Sequence, residues 1–257
     1  MARTRTTYLE EHKEANLSIW SEALFPAELL FLHASPVYYG FGVPQGDRAA
    51  VVLIPGFLAP DAYLMPLRWW LERIGYTPVC SGIGFNADCP NVLIDEKLNE
   101  TIEDALEATG RKVHLIGHSL GGIIARALAA QRSKDIASVI TLGAPFRGIV
   151  AHRTVLRAAE RVRLRVVEDR KATVLPDCYT GRCTCDFVKS LRRCMPPCVL
   201  ETAIYTEEDG LVDWQYCTTN DCNADFAVRG THVGLPFNPA VYQIIADRLA
   251  EATYTAQ

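Results

Sequence analysis

The chain has 257 residues, of which 49% are apolar and 22% are charged, and its formal net charge is −4 at pH 7. This hydrophobicity excludes wholesale disorder, and the length allows one large core rather than two full-size domains. The negative charge gives no electrostatic support for a nucleic-acid partner, so we expect none.

The N-terminal region predicts neither a secretory leader nor a membrane span. The first twenty residues lack the continuous apolar core of a leader, and no stretch reaches the ~18 uncharged apolar residues that a span needs. A cytoplasmic location is therefore the default, although the cysteine content would suit an oxidising compartment. The apolar segment 23–40, broken by Pro26 and Pro36, is expected to pack against the core. Peripheral contact with a lipid surface is the alternative.

From residue 49 onwards, strand-like and helix-like stretches alternate. Short apolar, β-branched runs predict strands at 49–57, 76–84, 112–119, 136–145, 199–210 and 224–232. Apolar residues at helical spacing predict helices at 61–75, 92–110, 120–131 and 238–252, the first with Asp61 as its N-cap. Strands that are apolar on both faces and alternate with helices indicate an α/β fold, with a mostly parallel sheet covered by helices on both faces.

The alternation breaks between the fourth and fifth strands. Residues 146–198 contain twelve Lys and Arg against five Asp and Glu, with an arginine-rich helical stretch at 152–170. So long an excursion is typical of a lid or binding element, so we predict one domain over 1–257 with 146–198 as a lid-like insert. Its positive charge indicates either a solvated helix face or a surface for an anionic ligand. Apolar residues such as Val155 and Leu164 are candidates for an acyl groove or for the core of that helix.

Nine cysteines are present, and seven of them lie between Cys178 and Cys222. Disulfides are the first interpretation and free thiols the second. A metal site comes third, because the paired CxxC motifs of structural zinc sites are absent from the sequence. The odd count leaves at least one thiol unpaired if the others pair within the chain.

One serine, Ser119, stands in a Gly-x-Ser-x-Gly pattern at a predicted strand-to-helix corner, over residues 117–121. Such a corner holds a nucleophile in a strained conformation with its hydroxyl above the sheet edge. Side chains at the two flanking glycines would clash where the chain passes close to itself, and Gly122 lets the helix pack tightly on the strand. The following helix presents its positive end to a developing negative charge. We therefore predict Ser119 as a nucleophile.

A serine nucleophile needs a base and a group that orients the base. In a sheet of this type the acid and then the histidine follow the serine, and only His152 and His232 do so. His232 is the predicted base, because it lies in a loop before the last helix and His152 precedes every candidate acid. Asp209 is the predicted acid, since it precedes Gly210 on the turn after the fifth strand, and Asp213 is the alternative.

Stabilising an oxyanion needs two backbone N–H donors. With this kind of corner, one donor belongs to the residue after the nucleophile, which is Leu120. The other comes from the loop after the first strand, where Phe57 is the predicted donor and Gly56 allows a close approach. Such chemistry requires no cofactor and no metal.

Four segments resemble the α/β-hydrolase superfamily and, within it, bacterial triacylglycerol lipases and esterases. They are VVLIPGF, HLIGHSLGG, YTEEDGLVDW and GTHVGLPFNPAVY, and the resemblance covers residues 49–145 and 199–252. It implies hydrolysis of a small-molecule or lipid ester through an acyl-enzyme, without a cofactor. Many relatives have His-Gly where this chain has Pro55-Gly56. By analogy with some relatives, Cys217 and Cys222 are expected to pair and brace the loop between the acid and the base.

Other functions fit parts of the same pattern. The same triad performs acyl transfer, or thioester or amide cleavage, and the sequence does not separate these from ester hydrolysis. A non-catalytic binding protein on a hydrolase scaffold would be expected to have a damaged triad. A metal-stabilised module would be built on the cysteines. The sequence makes no prediction of oligomeric state.

Overall fold

The computed structural model describes residues 12–171 and 173–255. Residues 1–11 lie outside this description. They form about half of the twenty residues on which the prediction about a secretory leader depends. The strands are β1 Lys13–Glu14, β2 Ala50–Ile54, β3 Thr77–Cys80, β4 Val113–His118, β5 Ile136–Leu142, β6 Val150–Ala151, β7 Leu200–Tyr205 and β8 Asp225–Ala227.

Helices fill most of the connections. The α-helices are α1 Phe25–Ala34, α2 Met65–Arg73, α3 Pro90–Leu93, α4 Asn99–Thr109, α5 Leu120–Gln131, α6 Arg153–Asp169, α7 Asp186–Leu191 and α8 Pro239–Thr255. A π-helical turn, Ile94–Leu98, joins α3 to α4. Short 3₁₀ helices lie at Ile19–Leu24, Pro36–Tyr39, Asp61–Leu64, Trp214–Cys217 and Leu235–Phe237. None of the described helices is long and apolar enough to cross a membrane.

Six strands form one parallel sheet in the order β3-β2-β4-β5-β7-β8, so the predicted parallel sheet is confirmed. At its centre, Ile54 pairs with Gly117, and His118 pairs with Leu142. On the far side of β5, Leu142 pairs with Ile204. Because these registers align the carboxyl ends of four strands, the loops that follow β2, β4, β5 and β7 all emerge at one edge of the sheet.

Helices cover both faces of this sheet, as predicted. Alternate residues of the strands point to opposite faces, so β2 sends Val52 into one apolar layer and Val51 into the other. The first layer contains residues of α4, α5 and α7. The second contains residues of α1, α2 and α8, including Trp70, which is fully buried. Burial on both faces explains why the strands are apolar throughout.

Most element boundaries differ from the predicted ones by a few residues, and two of the differences have a clear cause in the contacts. Asp61 begins a 3₁₀ turn ahead of α2, and its carboxylate accepts a hydrogen bond from Ser81 Oγ at 2.6 Å instead of capping the helix. The fifth strand of the sheet ends at Tyr205 rather than at residue 210. The chain turns there because the side chain of Asp209 accepts hydrogen bonds from the backbone of the residues that follow it.

Residues 12–41, here called the N-terminal segment, cross the carboxyl edge of the sheet. Its β1 pairs in parallel with β6, in a separate two-stranded sheet. Leu32 and Tyr38 are buried against the core, which confirms the predicted packing. The segment also leaves seven large apolar side chains exposed: Trp20, Leu24, Phe25, Leu30, Phe31, Tyr39 and Phe41.

Residues 146–198, the insert, contain β6, α6 and α7. The basic residues of α6 and the turn after it bind the loop before α3: Arg165 donates to the Ala87 carbonyl at 2.6 Å, and Arg170 forms an ion pair with Asp88 at 2.6 Å. Tyr179 Oη donates to the Asp88 carbonyl at 2.6 Å. Part of the positive charge of the insert therefore serves to attach it to the core.

Candidate active site

Ser119 lies at the corner between β4 and α5. Its backbone has φ of 51° and ψ of −122°, a region that residues other than glycine rarely occupy. The Ser119 N–H donates to the Leu142 carbonyl at 2.8 Å, and the Ser119 carbonyl accepts from Gly122 at 2.9 Å and Ile123 at 3.1 Å. The predicted strained strand-to-helix turn is confirmed.

The glycines around this corner leave room for close backbone contacts. A Cβ atom on Gly117 would lie 2.3 Å from the Gly121 carbonyl oxygen, and one on Gly121 would lie 2.2 Å from the Ile54 carbonyl oxygen. A Cβ on Gly122 would lie 2.6 Å from Cβ of Ala144, two residues after the end of β5. The predicted steric reason for all three glycines is confirmed, because Cβ atoms do not approach other atoms so closely.

Asp209 and His232 meet at the same edge of the sheet. The His232 Nδ1 and Asp209 Oδ2 atoms are 2.6 Å apart, and the two side chains are only 3% and 1% exposed. The second carboxylate oxygen of Asp209 accepts from the backbone N–H groups of Leu211 at 2.9 Å and Val212 at 2.8 Å. These bonds fix the carboxylate, which in turn orients the imidazole.

The alternative acid, Asp213, has a different contact. Its side chain accepts a hydrogen bond from the Gln215 N–H at 3.1 Å and begins the 3₁₀ helix Trp214–Cys217. His152 likewise caps α6, since its ring nitrogen accepts from the Thr154 N–H at 3.2 Å. Both residues have local backbone partners.

Two observations place His232 beside the serine corner. The ring nitrogen Nε2 of His118, the residue before Ser119, lies 3.0 Å from the His232 carbonyl oxygen. Gly143 follows Leu142, whose carbonyl accepts from Ser119, and a Cβ on Gly143 would lie 3.1 Å from His232 Nδ1. Among the described residues, the Ser119 hydroxyl makes no hydrogen bond to the imidazole; apo sites often form that bond only with substrate present.

The two neighbouring histidines have opposite pKa shifts. Burial disfavours the charged form of His232, but the charge and hydrogen bond of Asp209 and the charge of Glu22 outweigh it, and the pKa of His232 is raised above 6.5. Burial lowers the pKa of His118 to about 3, assisted by the charge of His232 and opposed by the hydrogen bond to its carbonyl. His118 is therefore neutral near pH 7, and its Nε2 is the hydrogen-bond donor.

The loop after β2 comes close to Ser119. A Cβ on Gly56 would lie 2.8 Å from His118 Nδ1 and 3.3 Å from Ser119 Cβ. Phe57 and Leu120, the predicted oxyanion donors, line the same cavity as Ser119. Neither of their N–H groups donates a hydrogen bond to another described residue. Both N–H groups are therefore available to a ligand.

Asn86 holds this loop in place. Its side-chain amide donates to the Pro55 carbonyl at 2.7 Å. Its backbone carbonyl accepts from Leu58 at 2.8 Å, and its N–H donates to Ala59 at 3.1 Å. These bonds support the Pro-Gly form of the loop. Asn86 is fully buried, and nothing in the local sequence marks it for this role.

A largely apolar cavity lies in front of Ser119. It opens to solvent, and the space inside it together with its open mouth is about 790 Å³. One wall comes from the core and the other from the insert. The lining residues on the core side include Leu120, Ile123, Pro145 and Val212, and those from the insert include Ile149, Val155, Ala159, Tyr179 and Val188. Of the groove candidates, Val155 lines the cavity, whereas Leu164 is exposed.

The expected disulfide between Cys217 and Cys222 is wrong. Cys217 is buried against Ala151 and Val212, Cys222 is exposed, and neither takes part in a disulfide. The loop is held by polar contacts instead: Arg147 donates to the side chains of Thr218 at 2.9 Å and Asn220 at 2.8 Å.

Cysteines of the insert approach the core at the cavity. Cys89 and Cys178 both line the cavity. The Cys178 thiol and the N–H groups of Val92 and Asn91 lower the pKa of Cys89 to about 7, against the effect of burial. The described residues contain no group of three or more His, Cys, Asp or Glu side chains arranged to hold a metal ion. The structure also shows no disulfide between described residues.

Sequence reasoning missed two carboxylates of the N-terminal segment. Glu22 accepts hydrogen bonds from the backbone N–H groups of Gly210 at 2.9 Å, His232 at 3.2 Å and Val233 at 2.8 Å. Glu28 accepts from both the N–H and the hydroxyl of Thr231, at 2.8 and 2.6 Å. The signal that could have found them is a pair of acidic residues within an apolar segment expected to pack on the core.

Comparisons with known proteins agree with this architecture. A family model described as the alpha/beta hydrolase fold matches residues 77–191. A triacylglycerol lipase of Burkholderia plantarii is 32% identical over 140 residues, which cover 50% of this chain and 39% of that protein. A triacylglycerol lipase of Pseudarthrobacter phenanthrenivorans is 34% identical over 109 residues, which cover 39% of this chain and 34% of that protein.

Among solved structures, a monoacylglycerol lipase of Paleococcus ferrophilus superimposes with a TM-score of 0.51. It is 14% identical and covers 82% of this chain, and 97% of that protein is matched. At this identity the likeness shows the fold alone.

The chain has the α/β-hydrolase fold, as predicted. Within that fold, it resembles bacterial lipases and esterases. The matched segments span less than half the length of these two curated relatives.

Proposed function

We propose that this chain is a serine carboxylic-ester hydrolase in which Ser119 is the nucleophile, His232 the base and Asp209 the acid that orients the base. One observation carries the proposal. A buried Asp209–His232 pair, joined at 2.6 Å, lies at the same sheet edge as a serine in a strained conformation that lines a cavity. Buried charge pairs beside a cleft are typical of catalytic sites.

The proposed reaction proceeds through an acyl-enzyme. Ser119 Oγ attacks the ester carbonyl carbon while His232 Nε2 takes its proton, and the resulting imidazolium is stabilised by Asp209. The N–H groups of Phe57 and Leu120 hold the oxyanion, an interaction worth about 3 kcal/mol of transition-state stabilisation per donor. His232 then protonates the leaving alcohol, and a water molecule repeats the two steps on the acyl-enzyme.

The cavity supports an ester with an apolar acyl group as substrate. Apolar side chains from both the core and the insert line it, as is usual for sites that bind small molecules. In the proposal, residues 146–198 act as a cap within a single domain, because Val155, Ala159 and Tyr179 of the insert form one wall of the cavity. No cofactor takes part.

Peripheral contact with a lipid surface belongs to the same proposal. Trp20 and Phe31 of the N-terminal segment are 84% and 70% exposed, and this exposure of large apolar side chains supports the contact. Sedimentation with phosphatidylcholine vesicles tests this contact. We expect the wild type to bind and Trp20→Ser to bind more weakly, and no binding by the wild type would contradict the contact.

Hydrolysis of p-nitrophenyl esters with acyl chains from short to long tests the proposed reaction. We expect Ser119→Ala to reduce kcat by at least about 1,000-fold, because the nucleophile is lost. Ser133→Ala, in the turn after α5, is the matched control and should retain full activity. Equal hydrolysis by Ser119→Ala and the wild type would contradict the proposal.

A further inference from the structure

Glu22 bridges two loops that are distant from it in the sequence. One carboxylate oxygen accepts from the Gly210 N–H, next to Asp209, and from the His232 N–H. The other oxygen accepts from the Val233 N–H at 2.8 Å. A single side chain of the N-terminal segment therefore binds the backbone beside both members of the buried pair.

The loops are shaped to receive this segment. A Cβ on Gly210 would lie 2.5 Å from the Ser18 carbonyl oxygen and 3.0 Å from a Glu22 carboxylate oxygen. A Cβ on Gly234 would lie 1.5 Å from a carboxylate oxygen of Glu28. Glycine is needed at both positions because the N-terminal segment occupies the space of a side chain.

A carboxylate suits this position better than a neutral group. Glu22 is only 8% exposed, and burying a charge is costly unless the charge is hydrogen-bonded. Three backbone N–H donors provide those bonds. An amide would present a donor to at least one of these N–H groups, so it cannot replace the carboxylate without leaving a backbone donor unpaired.

We propose that Glu22 is a positioning residue, which holds the Asp209 loop and the His232 loop in register through these three backbone hydrogen bonds. The purpose of that register rests on the proposed function above. Glu22 acts through Asp209 and His232 and is assigned no contact with substrate. The N-terminal segment is thereby a working part of the site, although it lies far from the triad in the sequence.

A purely structural role for Glu22 makes different predictions. The groups that face His232 are Asp209, Glu22 and the neutral His118. Removing the charge of Glu22 should therefore move the acid limb of the kcat/KM profile to lower pH, because Glu22 raises the pKa of His232. Loss of packing alone would not move that limb.

The test compares three variants with the wild type on one ester. For Glu22→Gln we expect kcat to fall about 10-fold to 100-fold, since small misplacements in a site have effects of that size, with KM changed by less than about 2-fold. Glu22→Asp keeps the charge, so its acid limb should stay near that of the wild type. If Glu22→Gln fails to fold, Glu22→Asp still tests the role, because it keeps the negative charge and shortens the side chain that makes the three hydrogen bonds.

Glu28→Gln is the matched control for anchoring. Glu28 lies on the same segment and binds the neighbouring residue Thr231, but its charge is not among the causes of the His232 shift. We expect Glu28→Gln to lower the melting temperature without moving the acid limb. If Glu22→Gln behaves like Glu28→Gln, with unchanged kcat and with the acid limb of kcat/KM at the wild-type pH, the positioning role is overturned.

A spectroscopic measurement makes the inference independent of catalysis. The His232 ring proton that is hydrogen-bonded to Asp209 should give a low-field ¹H NMR resonance, which shifts or broadens in Glu22→Gln and stays in place in Glu28→Gln. That result together with an active Ser119→Ala would reject the proposed function but retain the positioning role. An unchanged resonance in Glu22→Gln would reject the positioning role itself.

Discussion

The N-terminal segment and the insert both lie at the carboxyl edge of the sheet, but they contact it in different ways. The insert forms a wall of the cavity with apolar side chains such as Val155 and Val188. The N-terminal segment binds the backbone beside Asp209 and His232 with the carboxylate of Glu22, whereas Glu28 anchors the segment to Thr231. The proposed function thus assigns substrate fit and alignment of the proposed triad to separate parts of the chain.

The attachment of each region reflects this difference. The insert is held by polar contacts to residues 87–88, among them the ion pair of Arg170 with Asp88. These contacts do not involve the proposed triad. The contacts of Glu22 lie directly beside the triad. We therefore expect substitutions in the insert to change KM and the range of substrates, and substitutions at the triad loops to change kcat and its pH dependence.

The largest effect is expected in the loops that contain Asp209 and His232, from the substitution Asp209→Asn. Loss of the carboxylate removes the partner that orients and charges the imidazole, and we expect kcat to fall about 1,000-fold to 10,000-fold with a small change in KM. Steady-state kinetics on one ester measures this effect. Asp213→Asn is the matched control, since Asp213 caps a 3₁₀ helix, and an equal loss in that variant would argue against the assignment of Asp209.

The pH dependence of kcat/KM in the wild type tests the same two loops. His232 must be neutral to act as a base, and its pKa is raised above 6.5, so the midpoint of the acid limb of kcat/KM should lie above pH 6.5. Because its pKa is raised in the folded protein, protonated His232 stabilises the fold below pH 6.5, and this contribution is lost as the pH rises through the folded pKa. A limb centred below 6.5 in the kcat/KM profile would contradict the assignment.

A smaller effect is expected on the insert side, from Val155→Trp. The larger ring would occupy part of the cavity, and we expect kcat/KM for long acyl chains to fall about 10-fold or more while short chains are little affected. Leu164→Trp is the matched control, because Leu164 lies on the same helix and is 56% exposed. Equal losses for short and long chains in Val155→Trp would show that this wall does not select the acyl group.

The smallest effect is expected from Arg170→Ala, which removes the ion pairs with Asp88 and Glu96. These groups are partly exposed, so we expect the free energy of unfolding to fall by only about 0.5–1 kcal/mol. Chemical denaturation measures this change. A large loss of kcat in this variant would break the distinction between the two regions.

The parts of the site that depend on local constraints could be predicted from the sequence. The strained turn at Ser119 requires glycines at fixed spacing, and the order of strands and helices fixes which loops share an edge of the sheet. Asp209 and His232 follow from that order, and the structure brings them within 2.6 Å of each other.

The remaining features depend on contacts between distant residues. Asn86 and Glu22 act through backbone groups far along the chain, and no local pattern indicates which backbone a side chain will bind. The two-residue strands β1 and β6 are too short to give a periodic signal. The expected Cys217–Cys222 disulfide was inferred from relatives, and in this chain Cys217 packs in an apolar cluster instead.

The most direct test of the proposed nucleophile is covalent labelling with an alkyl fluorophosphonate, followed by intact-mass and peptide mass spectrometry. An activated serine displaces fluoride and retains the phosphonyl group, so we predict one adduct per chain, on Ser119, and none in Ser119→Ala. Ester hydrolysis by a protein that takes up no label at Ser119, or labels at a different residue, would contradict the account.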